Sequence, residues 1–139
     1  AVNVRGPFLM VRHVSPHMVA AGYGKIITTG SDTAYKGVPD MLAYVTSKAA
    51  LLGFTRTLAR ELGPHGICVN NIAPGLTASE SARANPDALV NNERIIAARS
   101  TPRTQEEGDL VGTLIWLAGP GSDFVTGQTI AVEGGATFL

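Results

Sequence analysis

Apolar positions along this 139-residue chain switch between a helical and a strand-like spacing. In residues 1 to 21, Val4, Phe8, Leu9, Val11, Val14, Met18 and Val19 fall close to helical spacing, which predicts a helix that Pro16 kinks or splits. Gly22-Tyr23-Gly24 interrupts it. Lys25 to Gly30 is a short β-branched run bounded by glycine, the pattern of a buried strand. A loop runs from Ser31 to about Met41, with Gly37 and Pro39 inside it. From Leu42 to Leu62, the positions Leu51, Leu52, Phe54, Thr55, Leu58, Ala59 and Leu62 predict a long helix, which Gly63-Pro64-His65-Gly66 stops. Ile67 to Ala73 is a second strand, ended by Pro74-Gly75. A long polar region follows, up to Thr101-Pro102. Ser79 and Pro86 are helix starts within it and Leu89, Val90, Ile95 and Ile96 its apolar positions, so it reads as a mobile flap with one or two short helices. Thr104 to Leu117 is a third long helix, with Thr104 as its cap, Glu106 and Glu107 in its first turn, and Leu110, Val111, Leu114, Ile115 and Leu117 facing inward. Gly127 to Gly135 is the last strand.

The resulting order is helix, strand, helix, strand, flap, helix, strand. Strands alternating with helices of several turns require right-handed crossovers, hence a parallel sheet with helices on both faces. The expected architecture is a single α/β domain over residues 1–139, with about three strands and flanking helices.

Composition narrows the partners. A hydrophobic content of 45% with 16% charged residues argues against disorder. Eleven basic and eleven acidic residues cancel to zero net charge without forming a run, so neither nucleic acid nor an anionic membrane surface is indicated. No apolar run approaches the length of a membrane span and no signal-peptide pattern opens the chain. The single cysteine, Cys68, lies in an apolar run and reads as a small buried hydrophobe in a reducing compartment. The expected location is the cytoplasm.

The chemistry starts from Tyr44 and Lys48. Residues four apart on a helix share one face, and a neighbouring ammonium favours phenolate, so this lysine moves the tyrosine toward proton exchange near neutral pH. In open parallel sheets the ligand crevice lies beyond the carboxyl ends of the strands. Ser31 follows the first strand, Pro74-Gly75 follows the second, and the helix carrying Tyr44 and Lys48 starts from the same rim. A serine there can polarise a substrate oxygen, and a Pro-Gly turn lets backbone approach a flat ring.

With these residues in this order, the chain resembles the second half of a short-chain dehydrogenase/reductase. The likeness runs through Asn3-Val4, Gly24-Lys25-Ile26-Ile27-Thr28-Thr29-Gly30-Ser31, Tyr44-x-x-x-Lys48, Val69 to Gly75, Val125-Thr126-Gly127-Gln128 and Val132-Glu133-Gly134-Gly135, with Ser31 thirteen residues before Tyr44. The resemblance implies the carboxyl-terminal half of a Rossmann-like, doubly wound sheet and hydride transfer between NAD or NADP and a small carbonyl or secondary alcohol substrate. It implies four catalytic residues: Tyr44 as acid or base, Lys48 lowering its pKa and holding the nicotinamide ribose, Ser31 on the substrate oxygen, and Asn3 placing a water that relays protons from Lys48. Cofactor contacts would come from Tyr44, Lys48, Pro74, Gly75, Thr77 and Ser79, with the polar region from Ser79 to Arg99 as substrate lid. The family usually has an aliphatic residue at the place of Thr77 and threonine at that of Ser79. The glycine-rich turn and the residues that choose between NAD and NADP do not occur in this sequence. In the family, helices matching residues 1 to 21 and 42 to 62 pack against a second subunit, which implies a homodimer or homotetramer.

Other residues read as structural. His13 and His17 have a metal-compatible spacing, but Pro16 interrupts the helix and no acidic residue joins them, so no metal site is expected. Trp116 reads as packing, Asn70 and Asn71 as loop bracing, and Tyr35 and Met41 as pocket lining or packing. The competing function is a truncated, non-catalytic interaction or oligomerisation module, because a first strand without earlier neighbours exposes an edge.

Overall fold

The computed structural model describes residues 2–84 and 92–138; Pro86, Leu89 and Val90 lie outside the described residues. The elements are α1 (Val2–Ala21), β1 (Gly24–Thr29), α2 (Thr33–Lys36), α3 (Leu42–Leu62), β2 (Ile67–Pro74), α4 (Glu80–Arg83), α5 (Asn92–Ala97), α6 (Gly108–Ala118) and β3 (Thr129–Val132). The strands form one parallel sheet in the order β1-β2-β3, with Ile26 opposite Val69 and Ile72 opposite Ile130.

Alternation along the strands feeds two layers. Ile26, Ile67 and Val69 pack with Val11 of α1 and Ala59 of α3, surrounded by Met18, Phe54, Leu58 and Leu62. The intervening positions address the other face: Lys25 Nζ donates to Ser122 Oγ at 3.2 Å, and Asn70 Nδ2 donates to the Val125 carbonyl at 2.7 Å. Ser122 in turn donates to the carbonyl of the fully buried Leu117 in α6. The turn between α3 and β2 demands glycine at position 66, where φ is +76° and an added Cβ would collide with the Gly22 carbonyl.

The bounds of α3 match the periodicity, but five expectations change. α1 continues through both Pro7 and Pro16, so Pro16 does not split it: each proline removes one rung of a twenty-residue ladder that packing on β1 and α3 sustains. His13 and His17 therefore share one helix, yet among the described residues no group of three or more His, Cys, Asp or Glu is placed to hold a metal. α2 forms inside the expected loop. Thr104 does not cap α6, because Gln105 is extended in a bridge to Thr77, and the helix starts only at Gly108 with Glu107 at its N-cap. That later start goes with a different buried face: Leu117 is buried, whereas Val111, Ile115 and Trp116 are exposed and do not face inward. β3 is shorter than Gly127 to Gly135 because all three glycines at its flanks, Gly127, Gly134 and Gly135, have positive φ. No helix among the described residues is long and apolar enough to cross a membrane.

The start of α6 is braced electrostatically. Asp109 accepts two bonds from the Arg103 guanidinium, each at 2.6 Å, and one from the Glu106 N–H at 2.9 Å. The guanidinium first, and the backbone bond second, hold the Asp109 pKa down to about 2 from its ordinary 3.8. A carboxylate depressed in the fold favours folding above its unfolded pKa, and that contribution disappears as pH falls from about 3.8 toward about 2. Arg103→Gln is expected to move the Asp109 titration, followed by NMR, up toward 3.8; an unmoved midpoint would show that the guanidinium is not the cause.

Along the sheet, β1 pairs only with β2 among the described residues. Its outer edge and the inner face of α1 enclose a cleft of about 520 Å³, lined by Asn3, Met10, Val11, Met18, Lys48 and Leu51 among others.

Candidate active site

The carboxyl ends of β1 and β2 form the rim at which the candidate site residues meet. α3 begins next to this rim, so its second turn brings Lys48 back to β1, where the ammonium donates to the Thr29 carbonyl at 2.8 Å. Partial burial lowers the Lys48 pKa below its ordinary 10.5. The same nitrogen lies 5.8 Å from the centroid of the Tyr44 ring. Tyr44 is 39% exposed, and its hydroxyl makes no hydrogen bond among the described residues. Tyr44 and Lys48 thus share one face, and among the described residues the phenol has no hydrogen-bond partner and two ammonium protons are uncommitted.

Asn3, in the first turn of α1, joins this group from the side. Its Nδ2 donates to Ser47 Oγ at 2.9 Å, and Ser47 donates to the Tyr44 carbonyl at 2.7 Å. The side-chain oxygen of Asn3 has no hydrogen-bond partner among the described residues, and Asn3 lines the cleft together with Lys48. Ser31, 6% exposed, sits one residue beyond β1's exit at Gly30. Its loop is pinned across the rim by the Asp32 N–H, which donates to the Pro74 carbonyl at 3.1 Å. This bond couples the serine loop to the Pro-Gly turn.

The remaining expected contacts lie beyond β2. Gly75 is crowded from within the protein: a Cβ there would stand 2.8 Å from Glu133 Cβ and 2.9 Å from Gln105 Oε1. Thr77 turns its hydroxyl to the Gly75 carbonyl at 3.1 Å. Ser79 caps α4, accepting from the Ala82 N–H at 3.3 Å. Among the described residues no hydrogen bond links Thr77 or Ser79 to Ser31, Tyr44 or Lys48.

Sequence reasoning missed the side chains that hold these loops. Buried Arg99 donates to the carbonyls of Leu76 and Arg103, each at 2.8 Å, and Gln105 Nε2 donates to the Val132 carbonyl at 2.7 Å. Arg99 therefore ties the far end of the expected flap to the segment that follows β2, and Gln105, just beyond the flap, is tied to β3. Asp32 and Lys36 form an ion pair at 2.6 Å beside Ser31. Their opposite charges four residues apart were the one signal that α2 interrupts the loop. Asn70 and Asn71 are bracing residues, bonded to Val125, Gln128, Thr28 and Thr129.

A family model described as Enoyl-(Acyl carrier protein) reductase matches residues 1–137. The chain is 42% identical over 142 residues to the A-factor type gamma-butyrolactone 1'-reductase (1S-forming) of Streptomyces virginiae, covering 99% of this chain and 54% of the relative. It is 38% identical to the short-chain dehydrogenase/reductase eriH of Hericium erinaceus, covering 97% of this chain and 54% of that protein. Among solved structures, the gluconate 5-dehydrogenase of Burkholderia cenocepacia in complex with NADP and tartrate superposes with a TM-score of 0.91 at 33% identity, covering 97% of this chain and 53% of that one. The chain thus spans about half the length of the relatives it matches.

Proposed function

The chain belongs to the short-chain dehydrogenase/reductase family, and from that premise we propose that it carries the proton-transfer end of an NAD(P)-dependent oxidoreductase acting on a small carbonyl or secondary alcohol. The observation that carries this reading is the Lys48 ammonium, anchored on the Thr29 carbonyl one turn from a Tyr44 hydroxyl that no described protein group occupies. The donor set suits the nicotinamide ribose: Lys48 keeps two N–H groups for vicinal hydroxyls, and the phenol is available beside them. When bound, NAD or NADP supplies or accepts the hydride.

The residues of the chain divide the rest. Tyr44 donates a proton to the carbonyl oxygen in reduction and removes it from the alcohol in oxidation. Lys48 places its ammonium 5.8 Å from the centroid of that phenol ring. Ser31 donates a hydrogen bond to the same substrate oxygen. Asn3, with Nδ2 committed to Ser47, offers its oxygen to a water that connects Lys48 to solvent. Pro74 and Gly75 would flank the nicotinamide ring, the backbone of Thr77 would serve its carboxamide, and Ser79 would meet the pyrophosphate. The protein works in the cytoplasm as a homodimer or homotetramer. Supporting that assembly, α1 leaves Val2, Val4, Phe8 and Met10 exposed and α3 leaves Leu42 exposed.

The test uses the protein at its natural length, assayed with both reduced cofactors against a panel of small ketones. Lys48→Met is expected to raise the KM for cofactor and lower kcat by about a hundredfold. Unchanged kinetics in that variant would overturn the assignment.

The open edge of β1 favours a second reading, a non-catalytic interaction module that pairs with another chain. In that case the protein binds neither reduced nicotinamide cofactor, and a fluorescence titration separates the two readings.

A further inference from the structure

The loop after β1 contains a hydrogen-bond arrangement that neither the motif nor the resemblance accounts for. A hydroxyl has one proton to donate and two lone pairs with which to accept. Ser31 Oγ receives the Thr33 N–H at 3.2 Å and the Thr33 hydroxyl at 2.9 Å, and donates to Asp32 Oδ1 at 3.4 Å. The direction of each bond follows from the carboxylate. It can only accept, so Ser31 must donate to it, and the Thr33 hydroxyl must then donate to Ser31.

We infer that Thr33 is a positioning residue: by filling both lone pairs of Ser31, it leaves the serine hydroxyl able to act only as a donor toward the substrate oxygen. The inference rests on the reading that Ser31 meets that oxygen. Its consequence is directional. In alcohol oxidation, a serine with a free lone pair can accept the substrate's own hydroxyl proton and divert it from the tyrosine. With both lone pairs filled, the alcohol accepts from Ser31, and its proton is left for Tyr44.

Asp32 serves as the resting partner of the serine proton. At 3.4 Å this contact is longer than an ordinary O–H···O bond of about 2.7–2.8 Å, so exchanging it for a substrate oxygen sacrifices little. The carboxylate stays in place without the serine, because its other oxygen holds Lys36 at 2.6 Å. The backbone is fixed independently by the Asp32 N–H on Pro74 and the Ala34 N–H on the Ser31 carbonyl. The Thr33 hydroxyl is therefore free to serve orientation rather than loop closure.

A double-mutant cycle at natural length tests this. Thr33→Val is expected to lower kcat for alcohol oxidation about tenfold, the worth of one hydrogen bond, with the KM for cofactor unchanged. Thr33→Ala, which removes the same hydroxyl without a β-branch, should lose as much, and Thr33→Ser should recover most of the activity. On a Ser31→Ala background, Thr33→Val should cost nothing further, because it acts through the serine. An equal loss on both backgrounds, or wild-type kcat in Thr33→Val, overturns the inference. Full activity in Ser31→Ala overturns the catalytic reading of Ser31 and this inference with it; a disabled Ser31→Ala beside an unaffected Thr33→Val overturns this inference alone.

Discussion

Replacing Tyr44 with Phe is expected to lower kcat by about a hundred- to ten-thousand-fold, the usual contribution of a positioned general acid or base. That range corresponds to about 3–5 kcal/mol of transition-state stabilisation. The substitution removes a single oxygen from a partly exposed ring, so it leaves neither a core cavity nor an unpaired protein group. Lys48 keeps its bond to the Thr29 carbonyl in the variant, and cofactor binding should remain largely intact. The signature is thus a collapse of kcat with little change in cofactor affinity, read by cofactor absorbance at saturation in the protein of natural length. Turnover within tenfold of wild type would sink the assignment of Tyr44 as the proton-transfer group.

The second large effect concerns stability. Asn71 is fully buried in the central strand and joins all three strands. Its Oδ1 accepts from Thr28 Oγ1 at 3.0 Å, and its Nδ2 donates to Thr129 Oγ1 at 3.3 Å. Thr28 continues the network to Thr55 of α3 at 2.9 Å. Its packing is tight enough that a Cβ on Gly30 would stand 2.7 Å from Asn71 Nδ2. Asn71→Ala removes both bonds and opens a cavity where water has no ready access, with an expected loss of about 3 kcal/mol in chemical denaturation. Asn71→Asp, of nearly equal volume, should lose at least as much, since it places a charge among hydroxyl groups with no cationic partner among the described residues. A loss below about 1 kcal/mol in the alanine variant would show that the three strands do not depend on this side chain.

These two residues differ in how far they could be read in advance. Tyr44 and Lys48 are a local pattern, since four residues on a helix define a shared face whatever the surroundings. The bounds of α3, the existence of three strands and their parallel order follow in the same way from periodicity, glycine punctuation and crossover length. Asn71 could be read as bracing but not assigned partners, because Thr28, Thr55 and Thr129 reach it only through the sheet and the helix above it.

The misplacements have the same origin. Thr104 has the chemistry of a cap, but Gln105 is held extended against Thr77, and that long-range bridge forbids the first turn. Val111 and Ile115 lie at helical spacing from other apolar residues, yet which side of α6 meets the sheet depends on where the helix begins and how it is laid down. Arg99, in a region read as a mobile flap, is buried because carbonyls of Leu76 and Arg103 converge on it from separate segments.

By itself, then, the sequence determined the alternation of elements, the parallel sheet, and the placing of Ser31, Tyr44, Lys48 and Pro74-Gly75 at one rim. Each depends on spacing along the chain, which short-range geometry enforces. Only the tertiary structure decided which lone pairs of Ser31 are filled, which carbonyl anchors Lys48, and why position 75 must be glycine. Those depend on groups far apart in sequence meeting within about 3 Å, a distance that no local pattern specifies.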